Sequence, residues 1–469
     1  MSEAATEAKN TQEEQLSIST GFEVVGIERI PEGERHHTQL ADTMLLWWSA
    51  NAVVVTVSLG ALSFYYGLGF WGSVAVIIAF NILGALPVAF LSTLGPKTGL
   101  AQMPLGRFAF GFQGARVTSF LNALTAIGWN AVNAAIGATL LTSWSGGSLP
   151  TWLGLIILVI ATALLSTFGY FIMHRFERFA WIPMFVLFGY VLFASVSHLN
   201  VGVPTTASGA GLLVGILTFG GAVFGNAIGW SSYAADYTRH QPTSISSRKV
   251  FLYSFFGMFI VTVLLESLGA LLITGLPANT QALPDTGSLI SQLIGNGPVQ
   301  SVVLLLLAVS IILNNAPTDY SFALSLQAVG VRVKRWVLTI VGAVAYLAVA
   351  LVLQANLNLN LMGFLLMMAY WLGAWNAIVL LEHVIRKGVY KAEDYTNPSK
   401  LPVGIAAIVA LVVGIGIALL GVNQASVIGY EGPLAKLLAD ADVGFPLAVI
   451  VAAVVYYPLR RWEMKKYDR

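Results

Sequence analysis

Apolar runs of about 20 residues recur between residues 41 and 461, separated by short loops. That length matches the hydrocarbon thickness of a bilayer, where a spanning helix satisfies its own backbone polar groups. The runs lie at 41–66, 70–94, 117–143, 151–173, 180–200, 209–234, 249–276, 298–328, 336–354, 359–384, 401–421 and 441–461. Only 10% of the chain is charged, against about 25% in a soluble domain. The expected fold is therefore an all-α integral membrane protein with about 12 transmembrane helices.

Lys and Arg positions orient this array. The two ends and the loops after even-numbered spans carry 23 of the 24 basic residues, leaving Lys436 alone on the other side. By the positive-inside rule both termini are cytoplasmic, in the cell membrane. An odd number of spans would destroy the alternation, so segmentation and charge support each other. The first forty residues are acidic and lack a cleavable signal, so the first span is the expected targeting signal, and residues 1–20 are too polar to pack.

Several chemistries are excluded. The chain has no Cys, and its six His show no zinc-binding spacing, so neither metal nor other cofactor is expected. No nucleophile–base pair marks an intramembrane enzyme, and no repeated polar ring marks a channel filter. Nothing points to nucleic acid or to an obligate protein partner.

Polar and helix-weakening residues inside the spans are the informative exceptions. From Phe219 to Trp230, Gly220, Gly221, Gly225 and Gly229 interrupt an apolar run flanked by Asn226 and Trp230. Glycine costs roughly 1 kcal/mol relative to alanine in a helix interior, so the run reads as a weakened ladder lining a cavity. Alternatively, Gly221, Gly225 and Gly229 form a stripe for close helix packing. Span 1 carries Ser49 and Asn51 a third of the way in, with Gly60 at its far end. Span 3 puts Trp129 and Asn133 one turn apart, on a stripe with Asn122 and Ala126. Span 8 carries Asn314, Asn315, Pro317, Thr318 and Asp319 near its middle, where Pro317 removes a backbone donor. Any one of these could be interhelical glue. Together they supply flat rings and neutral donor–acceptor groups without intramembrane cations, which suits a planar, uncharged heterocycle. Asp319 and Glu266 are the acids deepest in apolar context, hence proton-relay candidates, although a buried structural role for Glu266 is equally open. The loop from Gly95 to Arg116, with alternating Phe108, Phe110 and Phe112, reads either as an interfacial segment or as an ordinary connection.

Several motifs in order then carry a resemblance. They are Trp48-Ser-Ala-Asn51, Gly84-Ala-Leu-Pro87, Gly95-Pro-Lys-Thr-Gly-Leu100, Arg107-Phe-Ala-Phe-Gly111, Ile127-Gly-Trp-Asn130 with Asn133, and Ala235-Asp-Tyr-Thr-Arg239. From Gly26 to about Tyr457 the chain resembles the purine-cytosine permease branch of the nucleobase-cation-symport-1 family. The resemblance implies a LeuT-like 5+5 inverted repeat plus two C-terminal helices. Its units would be a 1–40 tail, repeats at 41–200 and 209–384, added helices at 401–461 and a 462–469 tail. It implies a nucleobase, cytosine or a purine such as adenine or hypoxanthine, imported across the bilayer with a coupling ion. Trp129 and Trp230 would sandwich the base. Asn133 and Asn314 to Thr318 would read its edge, Ser49 and Asn51 would contribute from a break in span 1, and Asn226 and Gly229 would complete the site. Two departures stand out. Thr318 follows the proline where relatives often have an amide. Ile312 and Leu313 precede Asn314 where sodium-coupled relatives carry hydroxyls, and aliphatic groups cannot ligate a hard cation. Protons are therefore the expected coupling ion. The alternative cargo is another small heterocycle, a vitamin or an allantoin- or hydantoin-like compound, with sodium as the alternative ion.

Overall fold

A computed structural model describes residues 27–168, 179–277, 284–295, 297–331 and 333–469. The polar tail at 1–20 and the end of the span at 151–173 fall outside those residues. The described chain is almost wholly helical. Its main helices are α1 Leu40–Asn51, α2 Val54–Ala61, α3 Phe70–Ser92, α4 Arg107–Trp144, α5 Thr151–Phe168 and α6 Trp181–Ser195. They continue with α7 Gly209–Ser232, α8 Ser247–Leu272, α9 Thr286–Ile294, α10 Pro298–Val329, α11 Arg335–Leu353, α12 Leu357–Ile385, α13 Ile405–Ala418 and α14 Gly444–Tyr467. Among the described residues eight helices are long and apolar enough to cross a membrane, and the bent pair α1–α2 makes a ninth. One of the eight is the 50-residue run Trp336–Ile385, which contains most of α11 and all of α12 around a tight turn at Gln354–Asn356. The helical segments that include α5 and α13 are shorter apolar ones.

The first span is broken. Val53 is extended, and the chain bends by 60° between α1 and the Val54–Tyr66 segment. A break at this depth frees carbonyls that no lipid can satisfy, so side chains must. Asn51 Nδ2 donates to the Trp47 carbonyl at 2.9 Å, and Thr56 Oγ1 to the Asn51 carbonyl at 2.9 Å. Asn314 Nδ2 reaches across from α10 to the Ala50 carbonyl, also at 2.9 Å.

The other two expected weak points are corrected. Gly220–Gly229 is regular α-helix, and the irregular turns lie before it, a π-turn at Gly215–Phe219, and after it, at Trp230–Ser232. The glycines serve close approach instead. A Cβ on Gly225 would lie 2.8 Å from the Leu365 carbonyl carbon, and one on Gly221 2.9 Å from Leu366 Cδ2, both on α12. The packing reading accounts for these two positions. Likewise α10 runs unbroken through Pro317. A proline removes one hydrogen bond, which here would have gone to the Leu313 carbonyl, and the surrounding helices hold the remaining ladder.

The segment from Gly95 to Arg116 is not spread on an interface. It forms short helices at Leu94–Thr98 and Gln102–Leu105, then the first turns of α4, with Phe108 and Phe110 buried. Gly111 turns there with φ +68°, and a Cβ would meet the Val403 carbonyl oxygen at 2.9 Å, so glycine is required. The loop after α7 locks onto this segment. Gln102 N donates to Asp236 Oδ1 at 2.6 Å and Ala235 N to Gln102 Oε1 at 3.1 Å. Burial pushes the Asp236 carboxyl up to about 6, against the pull of Arg239 and of the bond from Gln102. The nine-residue α9, capped by Asp285 Oδ1 on Ser288 N at 3.0 Å, is too short to register among spans. It docks on α2 through Ser58 Oγ and Thr286 Oγ1, 2.6 Å apart.

Candidate substrate site

The break between α1 and α2, the middle of α4, the end of α7 and the middle of α10 converge on one small cavity. Asn51, Trp129, Asn133, Asn226, Gly229, Trp230, Asn314 and Thr318 line it, together with Ala50, Val53, Val55, Thr56 and Tyr233. Its volume is about 20 Å³, room for a water molecule, which needs roughly 10–15 Å³, and not for a heterocycle. A second, apolar cavity of about 360 Å³ adjoins it, sharing Ala50, Val53, Trp230 and Asn314.

The two indoles come from facing helices and each is wedged by other rings. Trp129 meets Phe364 edge-on, with centroids 5.0 Å apart. A Cβ on Gly229 would lie 3.1 Å from Trp129 Cζ2, so glycine lets the α7 backbone lie against that ring. Trp230 packs edge-on to Trp47 at 5.7 Å and also touches Tyr233 and Tyr237. Such contacts fix ring orientation and are worth about 0.5–1.5 kcal/mol each beyond burial.

The polar wall is a chain of amides. Asn133 Nδ2 donates to Asn314 Oδ1 and Asn315 Oδ1, both at 2.9 Å. Asn314 passes its own N–H to Ala50, so one amide ties α4, α10 and the α1 break together. Asn133 Oδ1 is buried with no hydrogen-bond donor in the protein. Tyr233 Oη is in the same condition. Unsatisfied polar atoms on a cavity wall are what a ligand's polar edge would complete. Among the described residues no charged side chain lines this cavity.

Not every expected residue faces it. Ser49 and Pro317 line the neighbouring apolar cavity, and Ser49 Oγ accepts from Trp181 N at 3.2 Å. Asn315 lies behind Asn133 and donates to the Asn130 carbonyl at 3.2 Å. Asn122 serves as glue, donating to Ser325 Oγ at 2.9 Å. Asp319 is buried on the far face of α10, held by Asn130 Nδ2 at 2.5 Å and Ser166 Oγ at 2.8 Å. Glu266 is one residue removed from the cavity, accepting from Asn226 Nδ2 at 3.1 Å and Asn81 Nδ2 at 2.6 Å. Tyr233, Thr56 and Asn130 were not among the expected residues. Tyr233 follows Trp230 by three positions within the same expected span, 209–234, a spacing that already places it beside that indole.

Residues 29–442 match the family described as permease for cytosine/purines, uracil, thiamine, allantoin. The chain belongs to this nucleobase-cation-symport-1 family. Among members of the family, it is 34% identical to the purine-cytosine permease FcyB of Emericella nidulans, over 97% of this chain and 92% of that one. The purine-cytosine permease FCY21 of Saccharomyces cerevisiae is 32% identical, over 100% and 91%. The vitamin B6 transporter TPN1 of the same yeast is 25% identical, over 96% and 89%. The fold matches that of Mhp1, a nucleobase-cation-symport-1 transporter solved in a closed conformation with bromovinylhydantoin bound. The TM-score is 0.71 at 17% identity, covering 94% of this chain and 96% of Mhp1. Family membership makes the protein a multi-pass membrane permease and not an enzyme.

Proposed function

We propose that this permease is a secondary transporter of the cell membrane that imports a nucleobase by proton symport. The cargo is cytosine or a purine such as adenine or hypoxanthine. One observation carries the reading: the cavity at the α1 break is walled by two indoles and several neutral amides, with no charged side chain among the described residues. Rings stack on indole, and an amide both donates and accepts, matching the paired groups on the edge of a base. The base would lie between Trp129 and Trp230, with Asn133, Asn226, Asn314 and Thr318 reading its edge and Asn51 closing the end. Ser49 and Pro317 would line the route beside it, with Asn315 supporting Asn133 from behind. The cavity's small volume means that its walls must part to admit a base, which alternating access would supply. The printed names of the purine-cytosine relatives favour the same cargo.

Protons are the proposed coupling ion, with Glu266 and Asp319 as candidate carriers. Ile312 and Leu313 offer no oxygen beside Asn314. The Ala50 carbonyl at the break, a natural cation ligand, already accepts the Asn314 N–H. We take the fold to comprise twelve spans, with repeats at 41–200 and 209–384, added helices at 401–461 and both termini in the cytoplasm. The strong basic bias of one set of loops supports this orientation.

The second reading is another small heterocycle. The family description includes thiamine and allantoin, and TPN1 is a vitamin B6 transporter. Uptake of radiolabelled cytosine and adenine by proteoliposomes, challenged with unlabelled bases, vitamins and ureides, separates the two. Competition by bases alone supports the first reading, and competition by a vitamin or ureide alone replaces it with the second.

A further inference from the structure

Two carboxylates are buried near the cavity, and their surroundings differ in kind. Glu266, on α8, is fully buried. Each of its oxygens accepts from an amide, Asn81 on α3 and Asn226 on α7. Asn226 also forms part of the cavity wall. Gly60 on α2 lets that helix pack directly on Glu266, for a Cβ there would lie 2.8 Å from the Glu266 Cα. Asn81 Oδ1, beside the carboxylate, is buried and has no donor.

Among the described residues no cation pairs with this acid. Helices α2, α3 and α7 contain no ionisable residue. The other titratable side chains on elements packed against α8 are Asp42, Tyr65, Tyr66 and Tyr190, and none of them hydrogen-bonds Glu266. On α8 itself Arg248, Lys249 and Tyr253 lie three or more turns away. An unpaired buried carboxylate at membrane depth is costly, and its neutral form relieves that cost. Asp319 has a different environment. It ties Asn130 on α4 to Ser166 on α5, and neither it nor those partners line the cavity.

Resting on the proton-symport reading, the geometry points to Glu266 as the group that carries the coupled proton, with Asn226 reporting its protonation state to the base. The step balances simply. A hydronium ion reaching the opened cavity from the acidic side gives one proton to the Glu266 carboxylate and is left as water, and the carboxylate becomes a neutral acid with one O–H donor. That O–H needs an acceptor, whereas Asn226 now presents an N–H. Half a turn of the Asn226 amide brings its oxygen to the acid and its N–H to the cavity. A base offering a ring nitrogen or carbonyl then finds a donor. On the other side the base leaves, the proton returns to water and the amide turns back. Asp319 takes no part, serving to position α10 against α4 and α5.

The test uses the full chain in proteoliposomes with a pH-sensitive dye inside. Wild type should accumulate radiolabelled cytosine or adenine under an inward proton gradient and acidify the lumen when base is added. Failure of wild type to do so removes the proton-symport reading and this assignment with it. Where wild type does so, Glu266→Gln should still exchange base in counterflow, but its accumulation should fall to equality across the membrane with no base-dependent acidification. Asp319→Asn should accumulate base and acidify the lumen. If Glu266→Gln cannot be purified, Glu266→Asp keeps the proton and should shift the pH profile of uptake, which Asp319→Asn should not. Full accumulation by Glu266→Gln, an unshifted profile for Glu266→Asp, or loss of coupling with intact counterflow in Asp319→Asn would each overturn the assignment and leave the nucleobase reading standing.

Discussion

Helices α7 and α10 each present two faces with different duties. On α10, Asn314 and Thr318 sit one turn apart on the cavity, while Asn315 and Asp319, each one residue further on, face α4 and α5. On α7, Asn226, Gly229 and Trp230 line the cavity, while Gly221 and Gly225 seat the helix on α12. The residue type alone does not separate these roles, since amides occur on both faces of α10 and glycines on both faces of α7. What separates them is the neighbour each meets: Asn314, Thr318 and Asn226 border the cavity, whereas Asn315 and Asp319 bond to residues of α4 and α5. Facing them across the cavity, Asn133 Oδ1 on α4 is buried without a donor.

Substitutions on the packing face of α7 should have the largest effect. Gly225→Val forces a branched side chain onto the Leu365 backbone, which cannot move aside like a side-chain tip. The expected loss is about 3 kcal/mol or more, read as lost yield and melting temperature in detergent. A variant that melts like wild type would place α7 and α12 further apart than here.

On the cavity face, Trp129→Ala and Trp230→Ala should each weaken base binding by about 1–3 kcal/mol, with Phe retaining part of the affinity. Equilibrium binding to purified protein measures this. Two stable Ala variants that bind like wild type would move the site elsewhere.

Asn133→Ala should cost about 1–2 kcal/mol of binding by leaving polar groups of the base unpaired. Asn133→Asp should reorder the competing bases, because it loses a donor and adds charge at membrane depth. A pure glue role predicts lower yield with an unchanged competition ranking, and such a profile would remove Asn133 from the site.

The smallest effect on substrate belongs to Asp319→Asn. Its partners Asn130 and Ser166 are structural, so affinity should shift by less than about 0.5 kcal/mol while the melting temperature falls. A reordered substrate ranking in this variant would erase the distinction between the two faces of α10.

The apolar runs made the helices legible, because hydrocarbon leaves the backbone few alternatives. Local weakness was a poorer guide. Four glycines and a proline pointed to breaks in α7 and α10, yet both continue, since packed neighbours exploit glycine and tolerate proline. The real break, at Asn51-Ala-Val53, carries neither residue. It is stabilised in part by Asn314, 264 positions away, a partner that no local pattern reveals. The polar groups of span 1 marked it as interrupted, and the resemblance to the permease family put Ser49 and Asn51 at its break. The indoles and Asn133 were legible from helical spacing. The path from the cavity through Asn226 to Glu266 was not, since it joins three helices far apart in sequence. Helix α9 escaped notice because nine residues with a polar start resemble a loop.

The central claim, a proton-coupled importer of nucleobases, meets its most direct test in uptake of radiolabelled cytosine and adenine by proteoliposomes. Uptake would be measured in sodium or choline buffer, with or without a protonophore. The account predicts concentrative uptake in choline that the protonophore abolishes. Uptake that requires sodium and survives the protonophore would contradict it.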